Sequence, residues 1–479
     1  MSRRKAGREN PGGDGGAADL SPTKRATGET ASMIAARELL LIPVAQSLSS
    51  SPKKAAPRAP SQIRYRTAFH TTIGDVLRAR GWKETDSDLD WDIFWADATW
   101  IRDVYDHVHL ETHQRVNHFR NHYELTRKDL LVKNLKRARR LLLKHGNSDE
   151  AAKYDFSPTT FNLPAEYSLF VEEFKKNPTT SWIMKPIAKS QGKGIFLFQK
   201  LSEISDWRNR HRSFSKQQDP DNGSSSNNTL VAESYVVQQY ISNPYLVGGK
   251  KFDMRVYVLV TSYSPLTIYA YRSGFARFST SRFSMSNSDL TDHHIHLTNV
   301  AIQKSAPKYD PSNGGKWSLR NLKLYMVAKC GEARANQLFN DMQLAIIRSL
   351  IAVRKVMIND KHSFELYGYD LLFDTSLKVW LLEVNAYPSL SANTPSDYKL
   401  KCDLLDDVLH VVDVENRLSG DEVQVGGFDL IYRNGLIRND KACAIQSYLG
   451  CHNNRVEQLA AMEKQRQATK KATLAATAR

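Results

Sequence analysis

Two apolar runs divided by a polar turn, in the stretch YGYDLLFDTSLKVWLLEVNAYPSL from Tyr367 to Leu390, restrict this chain more than any other feature. The turn falls at Thr375–Lys378, so the runs pair as an antiparallel hairpin. A hairpin centred between Ser376 and Leu377 opposes residues whose numbers sum to 753, which sets Asp370 against Glu383. Asn385 lies two residues beyond Glu383 and points to the same face. Leu372, Val379, Leu381 and Val384 mark both strands as buried, and a buried carboxylate without a partner is costly. That disfavours the plain alternative, a solvated acidic face. The oxygens of Asp370, Glu383 and Asn385 instead form a candidate Mg²⁺ site, because this ion takes hard oxygen ligands and leaves positions for phosphates and water.

A second stretch, SWIMKPIAKSQGKGIFLF from Ser181 to Phe198, carries Lys185, Lys189 and Lys193 in and around a loop with Gly192 and Gly194. Glycines let backbone N–H groups approach a phosphate, and lysines neutralise it. GxxxxGK[ST] leading into a helix is missing, so this is not a Walker A loop. A strand–loop–strand lid over a nucleotide fits, with an ordinary hairpin bearing solvated lysines as the alternative. In the third stretch, QQYISNPYLVGGKKFDMRVYVLV from Gln238 to Val260, Lys251, Asp253 and Arg255 alternate and so share one strand face. Such a row can bind phosphates and a ribose hydroxyl. Cross-strand ion pairing is the competing explanation.

Further candidates are scattered: Arg277 in SGFARFS, Thr298 and Asn299 in HIHLTNVAIQ, and Lys316 in NGGKWS. His293, His294 and His296 lack the cysteine or acid that would complete a zinc set. His113 to His145 is strongly basic, with Leu130, Leu131, Leu135 and Leu141–Leu143 giving it a buried side. That run reads either as a solvated helical face or as a docking surface for an acidic chain. No HRD or DFG string occurs, which excludes a protein kinase. The remaining shape is an α/β (α+β) ATP-grasp-like ligase.

Composition bears on the partner. Lys and Arg total 67 against 51 Asp and Glu, a formal net charge of +16, so an acidic partner is expected. Four scattered cysteines and no CxxC exclude a disulfide framework or zinc ribbon and point to a reducing compartment. No run of 18 apolar residues appears, so no membrane insertion is expected. Residues 1–62, rich in Gly, Ser, Pro and Ala, are expected to be disordered, and residues 213–229 to form a surface loop. Apolar residues at helical spacing from Leu322 to Met357 predict helices covering a sheet. The expected division is 1–62, then a catalytic region 63–412, then an extension 413–479 ending in a basic helix from Arg455.

WIMKP-x4-QGKGIFL, KFDMRVYVLV, HLTNVAIQ, GGKW, YGYD and WLLEVNAYPSL, in this order, resemble the tubulin–tyrosine-ligase-like family. NHFRNHYELTRKDLLVKN resembles that family's N-terminal domain, and the likeness spans roughly Arg64 to Val412. The pattern is most similar to the short polyglutamylase branch. LLDDVLHVVDVENRL and VGGFDLIY resemble the C-terminal part of an axonemal subgroup. The resemblance implies that a glutamate carboxylate in the acidic tubulin tail attacks the ATP γ-phosphate. Free L-glutamate then takes the acyl phosphate through its amino group, and catalysis rests on positioning and charge neutralisation. It further implies that Lys185, Gln191, Gly192, Lys193 and Gly194 hold phosphates, with Gln191 also near the substrate. Gln238, Gln239, Tyr240 and Ile241 line the adenine pocket, with Lys251, Phe252 and Asp253 nearby, and Thr298 and Asn299 reach ATP. Asp370, Glu383 and Asn385 hold Mg²⁺. Arg277 and Lys316 grip the incoming glutamate, and Lys133 and Arg255 face the phosphates or the acyl phosphate. Tyr387 stands where the family more usually has Ser. Implied partners are tubulin C-terminal tails, microtubules and accessory protein subunits, with no nucleic acid. The implied setting is the cytoplasm and cytoskeleton, at the axoneme and basal body of a cilium or flagellum. A glycine ligase and an inactive microtubule adaptor are the rival readings.

Overall fold

The computed structural model of the chain describes residues 62–205, 234–437 and 446–477, apart from 188, 190, 308 and 311–314, together with 32, 33, 36, 39, 40, 207 and 209. The surface loop expected at 213–229 lies outside the described residues, as does most of the segment 1–62. Within that segment, however, Leu39 is buried in the main hydrophobic core and Ser32 Oγ lies 2.7 Å from His145 Nε2. These residues are therefore seated on the folded body.

Three sheets build that body. The N-terminal one is parallel and comprises β1 (Arg64–Thr67), β2 (Lys83–Glu84), β3 (Ile93–Trp95) and β4 (Arg115–Val116), in the order β2-β1-β3-β4. A small antiparallel sheet comprises β5 (Thr160–Leu163), β6 (Trp182–Pro186), β7 (Phe196–Phe198) and β8 (Tyr235–Gln239), in the order β5-β8-β6-β7. The strands of the large antiparallel sheet are β9 (Leu246–Val247), β10 (Lys250–Tyr263), β11 (Leu266–Phe278), β12 (Lys316–Ser318), β13 (Glu365–Phe373), β14 (Val379–Asn385), β15 (Gln424–Val425) and β16 (Phe428–Arg433). Its main path runs β14-β13-β10-β11-β16-β15. Among the described residues the named helices are α1 (Thr72–Ala79), α2 (Ala98–Asp103), α3 (Tyr123–Thr126), α4 (Lys128–Lys144), α5 (Ser148–Ala152), α6 (Tyr167–Lys176), α7 (His293–His296), α8 (Val300–Gln303), α9 (Leu319–Cys330), α10 (Glu332–Val353), α11 (Pro395–Val412) and α12 (Arg455–Thr477). Among the described residues, no helix is long and apolar enough to cross a membrane.

Strand alternation on β10 explains where the site lies. Its even positions, Met254, Val256, Val258 and Val260, pack in one core with Leu338, Phe339, Met342 and Ile346 of α10. Each such side chain contributes about 1.5–3 kcal/mol on burial. This is the helical cover predicted from the spacing over 322–357, delivered by α9 and α10. The odd positions change character along the strand. Tyr257 and Leu259 join a second core with Leu404, Leu405 and Val408 of α11. Lys251, Asp253 and Arg255, nearer the start of β10, are polar and lie on that same face. Helix α11 thus covers only part of the face, and the rest floors a cleft.

Helix α11 begins where chemistry requires. Thr394 Oγ1 accepts the Asp397 N–H at 3.2 Å, and Pro395 occupies the first helical turn. Its far side packs on Tyr65, Ile73, Leu77 and Trp95 of the N-terminal sheet and α1, so one helix serves two sheets. A boundary at Val412 therefore divides a single structure, because β16 pairs with β11 and β15 with β16. Residues 424–433 belong to the large sheet rather than to an appendage.

Candidate active site

The cleft lies between the small sheet and the uncovered part of the large one, and measures about 830 Å³ including its open mouth. Strand alternation again sorts the small sheet. Trp182, Met184 and Val237 face Phe170 of α6, while Ile183, Lys185 and Gln238 face the cleft. Leu297 and Tyr240 pack with Ile183 and give one end an apolar lining suited to an adenine ring. Gln239 and Ile241 line the same end, with Thr298 and Asn299 beside them.

Two lysines enter from opposite walls. Lys185 Nζ donates to Gln238 Oε1 at 2.6 Å. Lys251 Nζ donates to Tyr240 Oη at 2.9 Å and to the His296 carbonyl at 2.8 Å. Burial pushes Lys185 down to about 8 and Lys251 down to about 7, and the proximity of Lys185 adds to the effect on Lys251. A phosphate chain would supply the missing counter-charge. The loop above them turns at Gly192, whose φ of +81° strains any side chain and whose added Cβ would crowd Ile302 Cδ1.

The carboxylates sit across from these lysines. Asp370 faces Glu383 across the β13–β14 pair, as expected. The register is not uniform, however. Nearer the turn the paired numbers sum to 752, and a bulge between Leu371 and Asp370 restores 753. Leu382 is the extra residue, and it faces the cleft. Asn385 Nδ2 lies 3.5 Å from both Asp370 Oδ2 and Glu383 Oε1, so the three side chains do converge. Two carboxylates and an amide are hard donors and fit Mg²⁺ in kind. Among the described residues no group of three His, Cys, Asp or Glu has metal-holding geometry. The set depends on the amide of Asn385.

Asp370 has other partners. Arg255 Nε donates to its Oδ1 at 2.6 Å and Arg255 Nη2 to its Oδ2 at 3.0 Å, while Arg277 Nη2 lies 2.8 Å from Oδ2. Arg277 also forks onto Asp253, with Nε donating to Oδ1 at 3.0 Å. Asp253 and Arg277 are register partners on β10 and β11, and Arg255 and Asp370 on β10 and β13. For Asp253 and Arg255, then, cross-strand ion pairing is what the fold shows. The arginines beside Asp370 hold its carboxyl well below the usual range. Gly368 makes room for the Arg255 side chain, since a Cβ there would sit 2.8 Å from Pro388 Cβ and 3.1 Å from Arg255 Cδ.

Arg277 and Lys316 are directly paired on β11 and β12, which brings the two expected substrate-gripping cations together. Lys316 Nζ lies 3.0 Å from Asp397 Oδ2 and 4.5 Å from the centre of the Phe275 ring.

Of the expected residues, Lys185, Gln191, Gly192, Gln238, Gln239, Tyr240, Ile241, Lys251, Asp253, Arg277, Thr298, Asn299, Asp370 and Glu383 line the cleft. Arg255, Lys316 and Asn385 adjoin it through the contacts given. Lys193 and Gly194 are exposed on the loop. Phe252 points the other way, packed on Phe278 and Phe373 in the core. Lys133 is exposed on α4 and does not reach the cleft. Its place is taken by Lys128 at the start of α4, 3.7 Å from Glu383. The basic run hid Lys128 among like residues. His296 belongs to the cleft as a hydrogen-bonding wall, its ring held by Tyr240 Oη and the Asp289 carbonyl, and not as a zinc ligand. The Tyr387 ring rests on His118 at 4.2 Å and leaves the Asn385 contacts in place.

Residues 107–420 match the family described as the tubulin-tyrosine ligase family. A Rattus norvegicus protein named probable tubulin polyglutamylase TTLL9 is 49% identical over 437 residues, covering 86% of this chain and 94% of that one. A Caenorhabditis elegans protein named probable tubulin polyglutamylase ttll-9 is 48% identical over 375 residues, covering 78% and 85%. A Tetrahymena thermophila protein named probable alpha-tubulin polyglutamylase Ttll1 is 42% identical over 400 residues, covering 78% and 94%. The matched region contains every side chain of the cleft just described, from Lys128 to Asp397, and the chain therefore belongs to the tubulin-tyrosine ligase family.

Proposed function

We propose that this protein is an ATP-dependent tubulin polyglutamylase that joins free L-glutamate to glutamate side chains in tubulin C-terminal tails. One observation carries the reading. The half-buried Lys185 and the buried Lys251 face a carboxylate–amide cluster in a single cleft, and an Arg277–Lys316 pair stands beside that cluster. Such a site can neutralise a nucleotide's phosphates at one end and hold an acidic amino acid at the other. The names of relatives from three organisms point to the same activity.

Each group has a task in this reading. Lys185 and Lys251 bind the phosphates, and Ile183, Tyr240 and Leu297 enclose the base. Asp370, Glu383 and Asn385 would hold Mg²⁺, which offsets phosphate charge when bound. The ammonium of Lys128 lies beside Glu383 and faces the same charge. Arg277 and Lys316 orient the incoming glutamate by its carboxylates. No protein nucleophile is required, because the acceptor carboxylate is activated by phosphorylation and then taken by the amino group.

The acidic tail approaches over a cationic surface, of which the exposed Lys133, Arg139 and Arg140 on α4 form part. The setting proposed is the cytoplasm and cytoskeleton, at ciliary or flagellar axonemes and basal bodies, with accessory protein subunits aiding microtubule capture. The test is mass spectrometry of tubulin tails after incubation with the protein, ATP and, separately, glutamate, glycine or tyrosine. Mass increments with glutamate alone are expected. Increments with glycine alone would make the protein a glycine ligase, and none with any of the three would leave an adaptor.

A further inference from the structure

Behind the Arg277–Lys316 pair lies a buried charge cluster that the reaction as described does not use. Asp397 is 3% exposed, and its Oδ2 accepts from Lys316 Nζ at 3.0 Å, from Lys401 Nζ at 3.0 Å and from the Asn393 N–H at 3.1 Å. Among the described residues its buried Oδ1 has no hydrogen-bond partner. Lys401, 2% exposed, also donates to the Ser391 carbonyl. A helix cap accounts for part of this, since Asp397 stands one turn inside α11 and reaches back to the Asn393 N–H. It does not account for Lys401. A cap needs no buried ammonium on the next turn, and burying one is costly unless it is paired.

The arithmetic of charge gives that ammonium a purpose. On the neighbouring strands Arg255 and Arg277 are matched by Asp253 and Asp370, and the four cancel. Lys316 and Lys401 share the single carboxylate of Asp397, which leaves one positive charge in excess. Glutamate carries one net negative charge as a free amino acid, whereas glycine carries none. Lys401 has a second effect. By drawing on Asp397 Oδ2 it weakens that carboxylate's hold on Lys316, whose ammonium, among the described residues, has Asp397 as its one anionic partner and otherwise rests on the Phe275 ring.

We infer that Lys401 is a specificity-determining residue for the amino-acid substrate: acting through Asp397, it gives the Lys316 subsite the excess charge and the loosely held ammonium that select an acidic amino acid over a neutral one. Lys401 touches no substrate itself and works by positioning. The inference rests on the proposed ligase reading, and its test separates the two.

The variant is Lys401→Met, which keeps the volume, leaves Asp397 paired with Lys316 and removes one charge. Lys401→Arg is the rescue. Thr394→Ala, which weakens the cap of α11 without touching the lysines, is the control for a purely structural role. Glutamate binding to the ADP-loaded protein is measured by calorimetry, and ligation to tubulin is measured with glutamate and glycine in competition. Lys401→Met should raise the Kd and KM for glutamate about 10-fold or more while kcat and nucleotide affinity stay near wild type. The glutamate-to-glycine preference should fall by a similar factor, Lys401→Arg should recover most of it, and Thr394→Ala should lower the thermal midpoint without changing the preference. Unchanged glutamate binding in Lys401→Met overturns the inference, as does a shift in preference in Thr394→Ala. Wild-type protein that binds no glutamate would overturn the ligase reading and this inference together. Wild-type protein that binds and ligates glutamate while Lys401→Met does so equally well overturns this inference alone.

Discussion

Lys185 and Lys251 hold charge in a place where burial disfavours it, which makes the nucleotide end of the cleft sensitive to pH. Their folded values, about 8 and about 7, lie below the ordinary lysine range. Above neutrality the unfolded chain therefore binds more protons at these two groups than the folded one, so their cost to the ligand-free fold shrinks as pH rises from about 7 towards 10. Phosphates reverse the balance by favouring the ammonium forms. Nucleotide binding at pH 8 should thus take up roughly one proton, and close to none at pH 6. Titration calorimetry in buffers of different ionisation enthalpy measures this, and a buffer-independent heat at pH 8 would contradict it. Across the cleft, the Glu383 side chain is 26% exposed with Lys128 at 3.7 Å, so the fold leans on it lightly. Glu383→Gln should abolish ligation and leave the thermal midpoint close to wild type, measured by tubulin glutamylation and calorimetric melting. Full activity in that variant removes Glu383 from the proposed metal set. The Asp370–Glu383 pairing was legible because hairpin register converts sequence spacing into facing side chains. The arginines around Asp370 were not, because they lie on β10 and β11, more than 90 positions away in the chain.

Elements show where period-two reasoning holds and where it fails. It sorted β10 correctly, since Lys251, Asp253 and Arg255 do share a face. It also corrects the resemblance at Phe252, which was set near the nucleotide and which alternation sends into the core. It missed the bulge at Leu382, because an inserted residue in a uniformly apolar strand leaves no trace in the pattern. Helix α4 combines both of its sequence readings. Leu131, Leu135, Ala138 and Leu142 are buried, and Lys133, Arg139 and Arg140 are exposed. Arg137 instead donates to the Ala352 carbonyl at 3.3 Å and is better left intact in a test of docking. Tubulin capture by the unaltered protein should weaken with added salt, and replacing Lys133, Arg139 and Arg140 with Glu should raise the KM for tubulin several-fold and flatten that salt dependence, since exposed charges are screened beyond roughly 8 Å at physiological ionic strength. ATP affinity should be spared. Steady-state kinetics over a salt series decide it, and an unchanged KM would assign the docking surface elsewhere.

At the scale of the whole molecule, the C-terminal part is not an attachment. Arg455 at the head of α12 lies 3.0 Å from Asp407, 2.6 Å from Asp406 and 3.4 Å from Asp403, and the Asp407 side chain is fully buried. Gln458 then fastens the helix to β15 through the Gly426 N–H at 2.6 Å and the Gln424 carbonyl at 2.7 Å. Deleting residues from Arg455 onward should cost about 3–5 kcal/mol, the scale for removing one partner of a buried ion pair. Cutting after Met462 should cost little, because the contacts with α11 and β15 remain. Denaturant melts of the two truncations compare them directly, and equal stability would show that the Arg455 cluster holds nothing together. That β16 joins the large sheet was not legible in the chain, because β16 is short and its partner β11 lies about 160 positions earlier. That separation has a consequence for how the protein is made. On the ribosome, β10, β11, β13 and β14 emerge and can pair long before residues 424–433 leave the exit tunnel. Until then β11 presents an open flank where β16 belongs, with backbone donors and acceptors free to join a neighbouring nascent chain. A transcript truncated between α11 and β16 would encode every residue lining the cleft and still yield an aggregating polypeptide.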